Sequence, residues 1–198
     1  MKKIISLVLS LVFIMATLVG CSISTEPQGN NANFTEYFCN VRMISLNTSI
    51  EVTNKDTNKV VGKISGNVLR FLTDPLQFKN GDELIGYASD RYDFLTQDDH
   101  AIVVNDEYQF TMKGNFHFIG DHYELLDELG NTIAKISFNY FNTKGDLYDM
   151  SGNLIASYRS NYFRKDYAVI IYDNDLFDDN ALLMMFASYY SDRAADSD

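Results

Sequence analysis

The run Ala181-Leu182-Leu183-Met184-Met185-Phe186-Ala187-Ser188-Tyr189-Tyr190 constrains this chain more than any other segment. It follows Asp178-Asp179-Asn180, residues that cap helix starts and suit the positive end of the helix dipole. Successive residues on a helix advance by about 100°, so Leu182 to Phe186 point in every direction around the axis. A helix that is apolar all round is enclosed by protein or lies in a membrane. A run of this length spans about 15 Å, short of the roughly 30 Å of a bilayer core. The helix, expected over about 178–193, therefore needs walls on every side.

The rest of the chain supplies walls. Tyr108, Phe110 and Met112 alternate with Gln109, Thr111 and Lys113, and Ala134, Ile136, Phe138 and Tyr140 alternate with Lys135, Ser137 and Asn139. Ile50 and Val52 alternate with Glu51 and Thr53. This period of two describes half-buried antiparallel strands. A sub-motif recurs. Asp127-Glu128-Leu129-Gly130-Asn131-Thr132-Ile133-Ala134 returns as Asp149-Met150-Ser151-Gly152-Asn153-Leu154-Ile155-Ala156. Looser copies are Lys79-Asn80-Gly81-Asp82-Glu83-Leu84-Ile85-Gly86 and the segment ending Val61-Gly62-Lys63-Ile64-Ser65. Asp at the first position and Gly at the fourth suit a type I turn that opens into a bulge. Hairpins repeated in this way form a meandering sheet, and closing that sheet removes its exposed edges. The expected fold is mainly β: a closed antiparallel β-barrel of repeated hairpins threaded by the C-terminal α-helix.

Repeated Asp-x-x-Gly-Asn hairpins followed by a terminal apolar helix after an Asp-rich turn resemble the LURP-one-related and tubby C-terminal-like superfamily, which includes the phospholipid scramblases. The resemblance covers about residues 40–193. It implies about twelve strands closed around a central hydrophobic helix, and it carries no catalytic signature. Tubby proteins bind phosphoinositides through basic residues on the barrel. Arg159, Arg164 and Lys165 are basic here but match none of that pattern.

The N-terminus reads as an address. Met1-Lys2-Lys3 is a basic head, Ile4 to Leu18 is apolar apart from Ser6, Ser10 and Thr17, and Leu18-Val19-Gly20-Cys21 follows. This is the secretory pattern, and its last four residues resemble a bacterial lipobox. Residues 1–20 are then a lipoprotein signal peptide, and Cys21 carries the diacylglyceryl group and its fatty acyl (palmitate-type) chains. Several acyl chains hold a protein on a membrane stably, whereas one does not. Residues 21–33 lack periodicity and read as a flexible tether. Residues 34–198 form a single domain, and the expected location is extracytoplasmic, anchored to the bacterial cell membrane. Cys39, among Tyr37, Phe38 and Val41, reads as a buried, inert thiol.

The net charge is −11, and removal of Lys2 and Lys3 with the signal peptide deepens it by two. Such a chain has no basic excess with which to neutralise nucleic-acid phosphates. Anionic headgroups repel it too, so the lipid has to supply the anchoring.

Candidate chemistry is sparse. His117 and His122 flank Asp121 in a potential zinc arrangement, but they read as exposed hairpin residues. His100, after Asp98-Asp99, reads as a loop residue. Asp173, Asp175 and Asp178 invite a calcium reading. An EF-hand counted from Asp173 needs Gly at its sixth position and Glu at its twelfth, where Asp178 and Met184 stand. An acidic turn with a helix cap is the favoured reading there, with no metal and no cofactor expected. Lys55, Lys59 and Lys63 read as a solvated face. No nucleophile-elbow, P-loop or dinucleotide fingerprint is present. Two functional classes follow. The favoured one is a non-enzymatic, lipid-anchored module that binds a membrane lipid or an envelope partner. The alternative is an envelope hydrolase with a polar site at the barrel mouth.

Overall fold

The computed structural model describes residues 33–44, 47–67, 75–90, 99–115, 121–161, 165–172 and 175–196. The expected signal and lipobox segment with Cys21, most of the expected tether, and Asp98, His117, Arg164 and Asp173 lie outside the described residues.

Among the described residues, twelve antiparallel strands close into one barrel around one helix. The strands are β1 (Phe34–Ile44), β2 (Asn47–Asn54), β3 (Lys59–Asn67), β4 (Leu76–Asn80), β5 (Glu83–Asp90) and β6 (His100–Val104). They continue as β7 (Glu107–Asn115), β8 (His122–Leu126), β9 (Thr132–Phe138), β10 (Lys144–Asp149), β11 (Leu154–Ser160) and β12 (Tyr167–Tyr172). Each strand pairs with its sequence neighbours, and the seam is β1 against β12, with Phe34 opposite Tyr172 and Cys39 opposite Tyr167. Helix α1 (Asp179–Asp196) follows.

The two ends of the barrel differ. At one end the hairpins β2–β3, β4–β5, β6–β7, β8–β9 and β10–β11 turn tightly, and each carries a register shift close to its turn. A bulge bends its strand and steepens the local twist. Repeated at one level around the wall, bulges curl a sheet until it closes. The expected turn-and-bulge motif is therefore the closing device, and it recurs in β6–β7, which the sequence repeat did not mark. There Asn105 and Asp106 both take positive φ (53° and 63°), the backbone of a two-residue hairpin turn. In the repeat proper, Asp127 Oδ1 accepts the backbone N–H groups of Leu129 and Asn131, and Asp149 Oδ1 does the same for Ser151 and Asn153. The side-chain amides of Asn131 and Asn153 donate to the second oxygen. These bonds to the ionised form, led by those from Asn131 and Asn153, hold both carboxyls below the ordinary aspartate range. At the other end the connections from Asn67 to Leu76, Asp90 to His100 and Asn115 to His122 are longer.

Inside, Ile50, Val52, Ile64, Phe78, Phe110, Leu125 and Ile136 form the lining, while Glu51, Lys63 and Lys135 face water on the same strands. Among the described residues no helix is long and apolar enough to cross a membrane. Helix α1 begins at the tight-turn end. Asp178 caps it, its Oδ1 accepting the Asn180 N–H at 2.7 Å and its C=O accepting Ala181 and Leu182. Tyr37 O–H donates to Asp179 at 2.8 Å. Leu182 to Phe186 are each at most 1% exposed, as the all-round apolar pattern requires. The helix lies nearest β5 and β6, where Gly86 and Ala88 leave room. Aromatic rings fill the opposite side: Tyr189 stacks on Phe138 at 3.7 Å and meets Tyr123 and Tyr158 edge-on. Full burial of each such apolar side chain contributes about 1.5–3 kcal/mol, so wall and helix stabilise one another.

Candidate functional site: the polar mouth of a filled barrel

The helix C-terminus emerges at the end with the longer connections, and polar side chains gather there. His100 opens β6 on its inward-facing set, with Ile102 and Val104. Its Nε2 lies 2.6 Å from Asp192 Oδ2 on α1. His100 is only 2% exposed, so the loop reading of this residue is corrected. The strand begins one residue earlier than its apolar pattern announces, and the imidazole is turned inward by its partner on the helix. A turn of helix before Asp192, Tyr189 O–H donates to Asp121 Oδ2 at 3.2 Å, and Asn142 Nδ2 donates to the same oxygen at 2.8 Å. Arg193 Nη1 donates to the Asn142 carbonyl at 3.2 Å. Burial, with Asp121 adding to it, pushes the Tyr189 phenol far up, so it stays a neutral donor. The helix end is thus latched to β6, to the start of β8 and to the β9–β10 turn.

Below this latch, the Ser188 and Ser191 hydroxyls are buried one turn apart without a hydrogen-bond partner among the described residues, as is Thr48 Oγ1 on β2. Ordered water is the usual partner of such groups. His100 and Asp192 have the composition of a base and its orienting carboxylate. The imidazole is enclosed, and its Nε2 faces Asp192. The arrangement holds the helix in place.

The other predicted residues are dispersed. His122, the first residue of β8, is half-buried with Nδ1 at 2.9 Å from Ser137 Oγ. It starts a strand of the β8–β9 hairpin and is half-buried where an exposed position was expected. Asp175 and Asp178 are exposed, the latter used as the helix cap. Among the described residues no group of three His, Cys, Asp or Glu could hold a metal ion. Cys39 is 1% exposed, and burial pushes its thiol up to about 12, which removes the reactive thiolate. Lys55, Lys59 and Lys63 are all exposed, as the solvated-face reading expects, and Lys55 also reaches Glu36 at 2.7 Å.

Arg159 is buried on the barrel wall. It donates to Asp146 at 2.7 Å and to the carbonyls of Gly145 and Tyr158. Burial alone would raise the Asp146 carboxyl, but the Ser157 hydroxyl and Arg159 outweigh it and hold it down. Arg159 is therefore occupied by its own wall and offers no free cation to a phosphate. Sequence reading missed both this pair and the latch, because no local pattern joins Asp146 to Arg159 or His100 to Asp192.

No family model matches the chain, and no curated protein is similar to it. Among solved structures it is similar to a protein from Arabidopsis thaliana, AT5G01750, with a TM-score of 0.53 and 11% identity over 80% of this chain and 91% of that one. At that identity the likeness concerns the barrel fold alone.

Proposed function

We propose that the chain is a lipid-anchored, extracytoplasmic binding or scaffold module of the LURP-one-related, tubby-like kind. It is non-enzymatic, sits on a bacterial cell membrane through Cys21, and has a membrane lipid or an envelope protein as its partner. The observation that carries the non-enzymatic part is the occupied interior: α1 fills the space where a lipocalin-like barrel would hold a ligand. Binding then belongs to the outer wall or the rims. The hydrolase alternative needs an accessible base at the mouth, where His100 is enclosed against Asp192. The anchor rests on the spacing of the basic head, apolar run and Leu18-Val19-Gly20-Cys21. Its test is mass spectrometry of the full chain expressed in a bacterium. The expected product lacks residues 1–20 and carries diacylglycerol on Cys21, and Cys21→Ser blocks both changes. A Cys21→Ser chain that is processed and acylated like the parent would reject the anchor.

A further inference from the structure

We propose that the tight-turn end of the barrel, over the β8–β9 and β10–β11 turns and the approach to α1, binds a cationic amphipathic protein segment in which Lys or Arg alternates with apolar side chains. This inference rests on the binding-module reading and deepens it by naming the chemistry of the partner. It holds with or without acylation of Cys21. The argument starts from side chains that the turns do not need. In Asp127-Glu128-Leu129-Gly130-Asn131 and Asp149-Met150-Ser151-Gly152-Asn153, the Asp, Gly and Asn build the turn. The positions between them could be polar at no cost to the turn. Yet Leu129 is 87% exposed and Met150 57%, and Tyr148, two residues before Met150, is 41% exposed. The two hairpins adjoin through the pairing of β9 with β10. The approach to α1 adds a third apolar tip at the same end. There Phe177 turns inward onto Phe110 at 5.2 Å, Asp178 caps the helix, and Leu176 is left 49% exposed. Side chains exposed to this extent gain little from the fold, and apolar ones grouped at one end of a molecule mark an interaction surface.

Charge names the occupant. Asp127, Glu128, Asp149, Asp175 and Asp178 stand among these tips, and no Lys or Arg occurs in 127–134, 148–158 or 175–180. Asp127 and Asp149 stay ionised, because the bonds from Asn131 and Asn153 hold both carboxyls below the ordinary range. The other part of this end differs. Val60 and Leu84 are exposed there too, but Lys55, Lys59 and Lys79 offset Asp56, Asp82 and Glu83. An arc of carboxylates and apolar side chains without cations opposes both the same arc on a second copy and an anionic leaflet. It complements a segment that offers cations to the carboxylates and apolar side chains to Leu129, Met150 and Leu176. Both turns are fixed by their own hydrogen bonds before a partner arrives, which keeps the ordering cost of the contact low on this side.

The test uses the full chain in phosphatidylcholine vesicles and two short peptides, one alternating Leu with Lys and the other Leu with Glu, each carrying a photoreactive diazirine. Cross-linked residues are mapped by mass spectrometry. The Lys peptide is expected to mark 127–131, 148–153 and 175–178 in preference to Tyr140 and Phe141, which are exposed at the other end, and to lose these marks as salt is raised. The Glu peptide should leave the same segments unmarked. Glu128→Lys combined with Asp175→Lys should weaken the Lys peptide by about ten-fold and bring in the Glu peptide. Leu129→Ser combined with Met150→Ser should weaken the Lys peptide by a similar factor. All four positions are exposed, so the thermal transition of each variant is expected at the parent temperature. Marks spread equally over both ends, or unaltered by charge reversal, overturn the inference. Self-association through these turns would assign the end to a second copy, and shielding of the turns by vesicles alone would assign it to the bilayer; either result overturns it too. An acylated chain whose turns stay unmarked rejects this inference and leaves the anchored module standing. A chain marked at these turns without acylation keeps this inference and rejects the anchor.

Discussion

At Gly130 and Gly152 the backbone turns with φ of 83° and 86°, where a side chain is strained even though a Cβ at either position would meet nothing within 4 Å. Replacement by Ala should cost about 1 kcal/mol each through the backbone alone. Gly145 is different. It lies in β10 opposite Phe138, and a Cβ there would fall on the ring of Phe138. Since Phe138 is stacked on Tyr189 of the helix, the ring cannot move aside freely, and overpacking of this kind costs about 1–3 kcal/mol. Urea denaturation of the full chain should therefore rank Gly145→Ala as more destabilising than Gly130→Ala or Gly152→Ala. The reverse order would show that Phe138 has room to yield. The two turn glycines are legible in the Asp-x-x-Gly-Asn repeat. No local pattern marks Gly145, because its need arises from a ring on the neighbouring strand.

Helix α1 was the most legible element, since a segment apolar in all directions admits few environments. Its cap at Asp178 falls as expected, and it runs to Asp196 where an end near 193 was expected. The barrel followed from helix and hairpins together: closure supplies the walls, and period two supplies their inner face. The polar mouth was not legible. A histidine after two aspartates resembles a loop until the helix places Asp192 against it, and that contact joins residues far apart in the chain. The helix prediction is correspondingly firm. Leu183→Ala should cost about 2–5 kcal/mol, with the spread set by how far the site collapses. Leu183→Asp buries an unpaired charge and should prevent cooperative folding. A chain cut before Asp178 should lose its cooperative thermal transition by circular dichroism. A truncated chain that melts cooperatively at the parent temperature would show that the walls stand without their core.

For the whole molecule, the topology separates contacts that form early from those that form late. Eleven of the twelve strand pairings join sequence neighbours through a single connection, and only β1 with β12 spans the barrel. Loop-closure entropy delays the long-range pairing, since its ends must be brought together before contacts reward them. The seam gains most when the helix is in place: Tyr37 on β1 bonds Asp179, and Tyr167 on β12 stacks on Tyr190 at 5.3 Å. The hairpins should therefore be formed in the folding transition state while the seam and the helix contacts close after it. Val169, buried in β12 opposite Tyr37, reports on the seam, and Ile136, buried in β9 between β8 and β10, reports on the hairpins. Val169→Ala should then speed unfolding and leave the folding rate nearly unchanged, while Ile136→Val should mainly slow folding. Stopped-flow folding and unfolding limbs of the two variants decide it. A Val169→Ala chain whose loss of stability appears in the folding limb would mean that closure comes first, and that the helix is captured by a barrel already shut at its seam.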